Sequence, residues 1–166
     1  MAIVTQPLRD EHRELMPELE VLQEAATGAE SANAPQLLAR ALDFLQGHLI
    51  PHAQAEEAAL YPVVDRLMGA PKATATMRRD HVEVGRLTEE LAALRGRWKG
   101  TPADWTDARR LLYGLRALLV VHFAKEEEVY LPLLDEQLSA EEGRAMFAAM
   151  EEAATAAKAA ARADLA

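Results

Sequence analysis

The chain has 166 residues, half of them apolar, with no cysteine and a formal net charge of −9. This length fits one domain with a substantial core, and the lack of thiols excludes disulfides, iron–sulfur clusters and cysteine-based zinc sites. The acidic balance would repel a polyanion, so nucleic acid is disfavoured as a partner. No apolar stretch approaches the roughly 18 residues of a membrane span, and no secretory signal is visible at the N-terminus. A soluble, cytoplasmic protein is therefore expected.

Helix is predicted almost throughout, because Ala, Leu, Glu and Arg dominate and no run of β-branched or aromatic residues has period two. Thr5 and Thr101 are predicted N-caps, and Ser139 with Glu142 has the capping-box pattern. The predicted helices span Pro7–Thr27, Pro35–Met68, Lys72–Trp98, a segment capped by Thr101 that ends near Gln137, and an Ala-rich segment that starts at Ser139.

Short breaks between long amphipathic helices force neighbouring helices to be antiparallel. The sequence therefore predicts an all-α, up-down-up-down four-helix bundle over residues 1–138. Residues 139–166 are expected to form an additional helix that packs on the same domain or extends it. Four prolines fall inside the predicted helices, where each should bend the helix axis, at Pro17, Pro51, Pro62 and Pro132.

An internal repeat relates the two halves of the predicted bundle. The segment His52-Ala-Gln-Ala-Glu56-Glu57 matches His122-Phe-Ala-Lys-Glu126-Glu127 at an offset of 70 residues. The first and third helices also correspond, since Asp10-Glu11-His12 resembles Arg79-Asp80-His81 at an offset of 69. The chain is therefore interpreted as two helical hairpins related by a pseudo-twofold axis.

The repeated His-x-x-x-Glu spacing predicts half a metal site on each of two helices. Residues four apart lie on one helix face, so His52 with Glu56, and His122 with Glu126, each present an imidazole and a carboxylate together. A carboxylate can bridge two cations through its two oxygens, whereas a neutral imidazole supplies one nitrogen. Two such helices that face each other therefore suggest two metals that share two carboxylates.

His12 and His81 complete the predicted site, because each lies on the apolar face of its helix. Burial of four imidazoles without partners would be unfavourable, which favours a ligand over a solvated role. Four imidazoles and two bridging carboxylates would give each metal about two nitrogens and two oxygens. Positions would remain for a solvent bridge and for an exogenous ligand.

In this order the motifs resemble the hemerythrin-like, or HHE cation-binding, family over about Leu8 to Leu138. The resemblance implies a non-haem di-iron centre, bridged by oxo or hydroxo, inside a four-helix bundle. The metal ligands that it implies are His12, His52, Glu56, His81, His122 and Glu126.

Two departures from the oxygen-carrying hemerythrins matter for function. Those proteins have a second histidine four residues from the first on the third helix, whereas Met77 and Gly85 flank His81 at that spacing here. Their fourth-helix carboxylate is an Asp five residues after the histidine, whereas Glu126 follows His122 after four. Both departures disfavour simple reversible carriage of oxygen.

Three further residues lie near the predicted site. His48 is a candidate additional ligand one turn before His52, and its alternative role is that of a residue at the rim of the site. Glu57 and Glu127 are about 100° from the ligand face, so a solvated role is favoured and ligation is the alternative.

The sequence predicts a non-haem di-iron protein that reacts with O2, peroxide or NO. The predicted enzyme class is a peroxide-consuming oxidoreductase. The alternatives are an iron- or oxygen-sensing or O2-binding module without turnover, and a bundle that uses metal for stability alone. Ferritin-type iron storage is disfavoured, because no histidine here has a glutamate three residues before it.

Overall fold

The computed structural model describes residues 3–163, with side chains up to residue 160, and this part of the chain contains helices and turns but no strand. The predicted all-α class is confirmed, and each helix boundary lies within three residues of its predicted position. None of the helices within residues 3–163 has the length and apolarity that crossing a bilayer requires. The five helices are α1 (Gln6–Thr27), α2 (34–67), α3 (Ala75–Gly96), α4 (102–137) and α5 (Ala140–Ala163).

Helices α1 to α4 form the bundle, in which α4 packs against α1 and α3, and α2 packs against the same two helices from the opposite side. Two clusters of buried apolar side chains fill its interior, one on each side of a polar layer. Helix α1 shows the arrangement, since Leu8 belongs to one cluster, Leu15 to the other, and His12 lies between them. The four bundle helices therefore bring their histidines to one level of the bundle.

Three of the four internal prolines follow a turn with π-helical hydrogen bonding. These turns are Leu45–Leu49 before Pro51, Glu56–Leu60 before Pro62, and Glu126–Tyr130 before Pro132. The ring of a proline clashes with the carbonyl four residues earlier, and a widened turn moves that carbonyl away from the ring. Two of the π turns begin at the predicted ligands Glu56 and Glu126, so they alter the side-chain directions that a regular helix would give.

The predicted caps are confirmed at two of three helix starts. Thr101 and Asp104 form a reciprocal capping box at the start of α4, and the Ser139 hydroxyl accepts from the Glu142 amide at 3.2 Å. Thr5 precedes α1 as predicted, but its hydroxyl donates to Asp135 at 3.0 Å and accepts no cap bond from its own helix.

Helix α5 packs along α2, so it covers one flank of the bundle. Two buried side chains of α5, Met146 and Met150, belong to the apolar cluster that contains Leu60. Gly143 lies directly against Val4, at a distance that a β-carbon on residue 143 would not allow. Close contact with the segment before α1 therefore requires glycine at this position.

We expect Gly143→Ala to destabilise the fold, because the added methyl group would displace Val4. Overpacking of this kind costs about 1–3 kcal/mol, and the better helix propensity of alanine offsets about 1 kcal/mol of it. Gly114→Ala is the matched control, since nothing lies within 4 Å of a β-carbon at that position of α4. Urea unfolding should show a lower midpoint for Gly143→Ala and an unchanged or higher midpoint for Gly114→Ala. A midpoint for Gly143→Ala at or above that of the unsubstituted chain would contradict this packing.

Candidate metal centre

The structure brings the six residues implied as ligands into one buried layer at the centre of the bundle. Each of the four helices contributes one histidine, and α2 and α4 each add a glutamate. Glu56 and Glu126 are fully buried, and His12, His52 and His122 are at most 4% exposed. His81 is slightly more accessible than these three. The donor atoms fall into two groups, each close enough to surround one ion.

The first group consists of His12, His52, Glu56 and Glu126. Nε2 of His52 lies 3.0 Å from Oε1 of Glu56, and Nε2 of His12 lies 3.8 Å from the same oxygen. Nε2 of His12 is also 3.6 Å from Oε2 of Glu126. One donor atom from each residue lies within 4.8 Å of all the others, so a single cation could contact all four.

The second group consists of Glu56, His81 and His122. Nε2 of His81 lies 3.3 Å from Oε2 of Glu56, and Nε2 of His122 lies 4.0 Å from that oxygen. The two Nε2 atoms are 3.0 Å apart. Glu126 turns its other oxygen, Oε1, toward this group, at 3.5 Å from Nε2 of His122. Both glutamates therefore present one oxygen to each group.

The donor atoms of this layer lack hydrogen-bond partners to an extent seen nowhere else among the described residues. Seven buried side-chain nitrogen or oxygen atoms of the described residues have no partner, and six of the seven belong to residues of the first group. An unsatisfied buried polar group costs about 1–3 kcal/mol. The unpartnered atoms of the layer are Nε2 of His12, both ring nitrogens of His52, both carboxylate oxygens of Glu56 and Oε2 of Glu126. Imidazole nitrogens and carboxylate oxygens with no other partner fit a metal cation.

The buried carboxylates favour protonation of the imidazoles of His52 and His122 beside them. Burial opposes ionisation of Glu56, but the adjacent His52 holds the pKa of this carboxyl well below its usual range. Burial likewise opposes protonation of His122, but the nearby carboxylates of Glu126 and Glu56 raise its pKa to about 10. Protons and metal ions therefore compete for the same nitrogens, so metal uptake should release protons and weaken as the pH falls.

Comparison with known proteins agrees with this geometry. The profile of the hemerythrin HHE cation-binding domain matches residues 4–134. This chain belongs to the hemerythrin HHE family. The predicted resemblance is thus confirmed, and the matched residues include the whole buried layer of histidines and glutamates.

Among curated proteins, this HHE domain is similar to the iron–sulfur cluster repair protein YtfE of several bacteria. It is 32% identical to YtfE of Cronobacter sakazakii and 31% identical to that of Escherichia coli O1:K1, in each case over 133 residues and 74% of this chain. The Salmonella paratyphi B protein is 28% identical over 131 residues. The match spans 59% of the length of these relatives. No solved structure gave a significant match.

Each imidazole of the HHE domain also faces a carboxylate on its outer side, through Nδ1. A carboxylate that accepts from Nδ1 places the ring proton there, which leaves the lone pair of Nε2 free for a cation. The contact is a hydrogen bond for His12, His81 and His122, whereas Nδ1 of His52 lies near Glu11 without hydrogen-bond geometry. The four pairs and their Nδ1-to-oxygen distances are His12–Glu127 at 2.7 Å, His52–Glu11 at 3.1 Å, His81–Glu57 at 2.9 Å and His122–Asp80 at 3.1 Å. The pairs repeat at the offsets of the internal repeat, so the pseudo-twofold also relates the carboxylates that face the Nδ1 atoms.

The structure agrees with the expectation that Glu57 and Glu127 are not ligands, although neither side chain is fully solvated. Both side chains are about one-third exposed, and each contacts an imidazole of the neighbouring helix. The prediction assumed a regular rotation of 100° per residue, whereas both glutamates lie in π turns. Their contact with the outer nitrogen also separates them from the inner donor atoms, so neither is part of the two groups.

Tyr61 was not singled out by the sequence analysis, although its hydroxyl lies among the donor atoms of the second group. It donates to Oε1 of Glu126 at 2.9 Å and lies 3.3 Å from Nε2 of His81 and 3.4 Å from Nε2 of His122. Burial, and then the charges of the two glutamates, raise the pKa of the phenol. The repeat carried a signal for this residue, because Leu131 occupies the equivalent position 70 residues later.

Phe123 separates the layer from a surface cleft of about 490 Å³ between α1 and α4. Its ring centroid lies 4.8 Å from that of His12, 6.0 Å from that of His52 and 6.2 Å from that of His122. His12 and Phe123 both line this cleft, together with apolar side chains such as Met16 and Val120. The aromatic ring therefore packs against three imidazoles of the layer beside the cleft that His12 also lines.

His48, the candidate additional ligand, is not brought to the layer. It is exposed and lines a different cleft, beside Glu14 and Asp43. His48 belongs to neither of the two groups of donor atoms. Its position agrees with the alternative role outside the metal site.

Proposed function

We propose that this HHE domain holds two iron ions, one in each group, and that it consumes peroxide. O2 and NO are the other small ligands with which such a pair would react. The observation that supports this proposal most strongly is the set of six unpartnered buried donor atoms. The proposed ligands are His12, His52, Glu56, His81, His122 and Glu126.

The donor set favours iron over other common metals. Mg²⁺ and Ca²⁺ prefer oxygen ligands only, and structural zinc sites are closed by four ligands. A layer with two imidazoles for each group and two shared carboxylates suits a pair of redox-active ions with open positions. The curated relatives are also named for a function that concerns iron.

A bound iron pair would supply two-electron redox chemistry at one site. Peroxide can serve as both oxidant and reductant, since two molecules of H2O2 give two of water and one of O2. That reaction balances without an external electron donor, which suits a chain that contains no cysteine. The lack of a fifth imidazole, noted at Met77 and Gly85, favours turnover over reversible carriage because it leaves fewer nitrogen donors.

The protein's own residues would control protons and access in this reaction. Tyr61 holds a proton 2.9 Å from Oε1 of Glu126, so the phenol can donate or accept at the second group. Phe123 limits water near three imidazoles, and the cleft beside it brings small molecules close to His12. These contacts provide a hydrogen-bond donor beside the second group and a shielded site, which peroxide chemistry needs.

Peroxide consumption by the iron-loaded protein tests this proposal. Addition of H2O2 to the loaded protein should release about one O2 for every two peroxide molecules, as a catalase-type reaction requires, and an oxygen electrode would record it. The metal-free protein and a sample loaded with zinc are the controls, and neither should release oxygen. A loaded protein that takes up O2 reversibly, releases it under vacuum and leaves peroxide untouched would instead be an oxygen-binding or sensing module.

Iron–sulfur cluster repair is a second candidate, and the similarity to YtfE favours it. The matched region covers only 59% of those relatives, so repair could require segments that the match does not include. Transfer of iron from the loaded domain to a cluster-free iron–sulfur protein, in the presence of a chelator that traps free iron, would support it. Loss of all the iron to the chelator would argue against it.

A further inference from the structure

A chain of polar contacts links the start of α1 to His12. Asp135 accepts from the Thr5 amide at 2.8 Å and from the Thr5 hydroxyl at 3.0 Å. Arg9 donates to Oδ2 of Asp135 at 3.2 Å and to Oε2 of Glu127 at 2.6 Å. The other oxygen of Glu127 accepts from Nδ1 of His12 at 2.7 Å. One arginine therefore connects the first turn of α1 to the carboxylate that holds the imidazole.

The same contacts recur at the start of α3, where they lead to His81. Asp65 accepts from the Thr74 amide at 2.8 Å and from its hydroxyl at 3.0 Å. Arg78 lies 3.9 Å from Oδ2 of Asp65 and 3.8 Å from Oε2 of Glu57, and it donates to the backbone carbonyl of Glu57 at 3.2 Å. Oε1 of Glu57 accepts from Nδ1 of His81 at 2.9 Å.

We call these two chains of polar contacts relays. Each relay has five residues, and each residue has a counterpart of the same type in the other relay, 69 or 70 positions away. An isolated surface ion pair contributes little to stability and has no reason to recur. Here the same five residue types come together in both halves, and both relays end on an imidazole of the metal layer. The recurrence favours a role at the metal centre over incidental surface pairing.

We propose that Arg9 and Arg78 are positioning residues for the metal pair. This role rests on the proposed function. Each guanidinium fixes a glutamate, and the glutamate holds the Nδ1 proton so that Nε2 points toward Glu56 and Glu126. Arginine suits this task because its planar fork contacts two carboxylates at once, whereas lysine is a single point charge. The relay also couples metal binding to the first turns of α1 and α3 through Thr5 and Thr74.

The two relays differ where the pseudo-symmetry is broken. Arg9 makes two direct ion pairs at 2.6 and 3.2 Å, whereas Arg78 has longer ion pairs and lies over the ring of Tyr61, 5.3 Å from its centroid. Arg9 therefore acts on the first group through His12. Arg78 acts on the second group through His81 and also contacts the tyrosine of that group.

Substitution of each arginine by glutamine tests the proposal in the full chain. We expect Arg9→Gln and Arg78→Gln each to speed the release of one of two iron ions to a chelator by about 10- to 100-fold, the range found for loss of an outer-shell partner. The double variant should release both ions quickly. Arg9→Lys and Arg78→Lys should recover part of the effect, because they restore the charge without the planar fork.

Arg13→Gln and Arg79→Gln are controls that remove the same charge from the same two helices. Both side chains are about two-thirds exposed, and their ion pairs are with carboxylates of their own helix, Asp10 and Glu83. Iron release from both controls should match that of the unsubstituted protein. If Arg9→Gln and Arg78→Gln retain iron as well as these controls do, the positioning role is overturned.

A readout without metal separates failure of this proposal from failure of the proposed function. In the metal-free protein, ¹⁵N spectra of the imidazoles should show a proton on Nδ1 of His12 and His81, in slow exchange with solvent. Exchange should quicken roughly tenfold at His12 in Arg9→Gln and at His81 in Arg78→Gln, as loosening of one hydrogen bond implies. Unchanged exchange in both variants would overturn the relay. If the unsubstituted chain bound no iron, the proposed function would fail while these spectra still decided the relay.

Discussion

Glu56→Gln is expected to abolish binding of both iron ions, the largest effect of any single substitution in this chain. Oε1 of Glu56 lies 3.0 Å from Nε2 of His52, and Oε2 lies 3.3 Å from Nε2 of His81, so the side chain serves both groups. A glutamine amide has the same shape but offers only one weak, neutral oxygen donor. Affinity should fall by more than about 100-fold, beyond the loss that an outer-shell partner causes.

Iron content after anaerobic loading with ferrous salt would measure this effect. The unsubstituted chain should bind about two ions and, after oxidation, show the near-ultraviolet absorption of a bridged ferric pair. Glu128→Gln is the matched control, because this side chain is exposed and belongs to neither group of donor atoms, so the variant should retain both ions. His48→Ala should also retain both ions, since His48 is exposed and outside both groups. A Glu56→Gln variant that still bound two ions would contradict the shared role of this carboxylate.

Iron should raise the thermal midpoint of the folded chain, the second largest effect that we expect. The proposed ligands come from four different helices and meet only in the folded state, so ions that bind the native arrangement would stabilise it by mass action. Free metal at 1,000 times its dissociation constant adds about 4 kcal/mol for one site. A chain of this size gains roughly 2–4 °C per kcal/mol, so the midpoint should rise by about 10 °C or more.

Thermal unfolding followed by circular dichroism, with and without iron, would test this expectation. The metal-free protein should remain helical, because the two apolar clusters persist on both sides of the polar layer. Glu56→Gln provides the control, since its midpoint should not respond to iron. Equal midpoints for the loaded and metal-free forms of the unsubstituted chain would show that binding is not coupled to folding.

The iron content of the purified protein bears on the proposed function differently from the peroxide assay. A chain that binds two ions but leaves peroxide untouched would keep the metal proposal and lose the catalytic one. A chain that consumes peroxide only when iron is present, and fails to do so as Glu56→Gln, would support both. The exchange of the Nδ1 protons in the metal-free protein tests the relays through Arg9 and Arg78 whatever the iron content or the peroxide assay shows.

Helical periodicity and the internal repeat of the sequence predicted the class of fold, the helix limits and the residues of the buried layer. His52 and Glu56 share a helix face because they are four residues apart, a relation that holds within one helix and needs no tertiary information. The apolar neighbours of His12, such as Leu8 and Leu15, likewise placed this histidine in the interior. Membership of the HHE family followed from the order of these motifs.

The sequence did not predict which side chains surround the imidazoles. Tyr61 reaches the second group, and Glu57 and Glu127 reach the outer nitrogens, because π turns in α2 and α4 change the rotation between successive residues. His48 was a candidate ligand by spacing alone, and the structure places it on the surface. Such positions depend on local departures from regular helix geometry, which the spacing of residues does not show.

The repeat in the sequence contained both halves of each relay, but only the tertiary structure joined them. Arg9 and Glu127 are 118 residues apart, and their contact exists because α1 and α4 are neighbours in the bundle. Spacing along one helix determines which residues share a face. The packing and rotation of helices against one another determine which faces meet, and those depend on the apolar clusters of the whole chain.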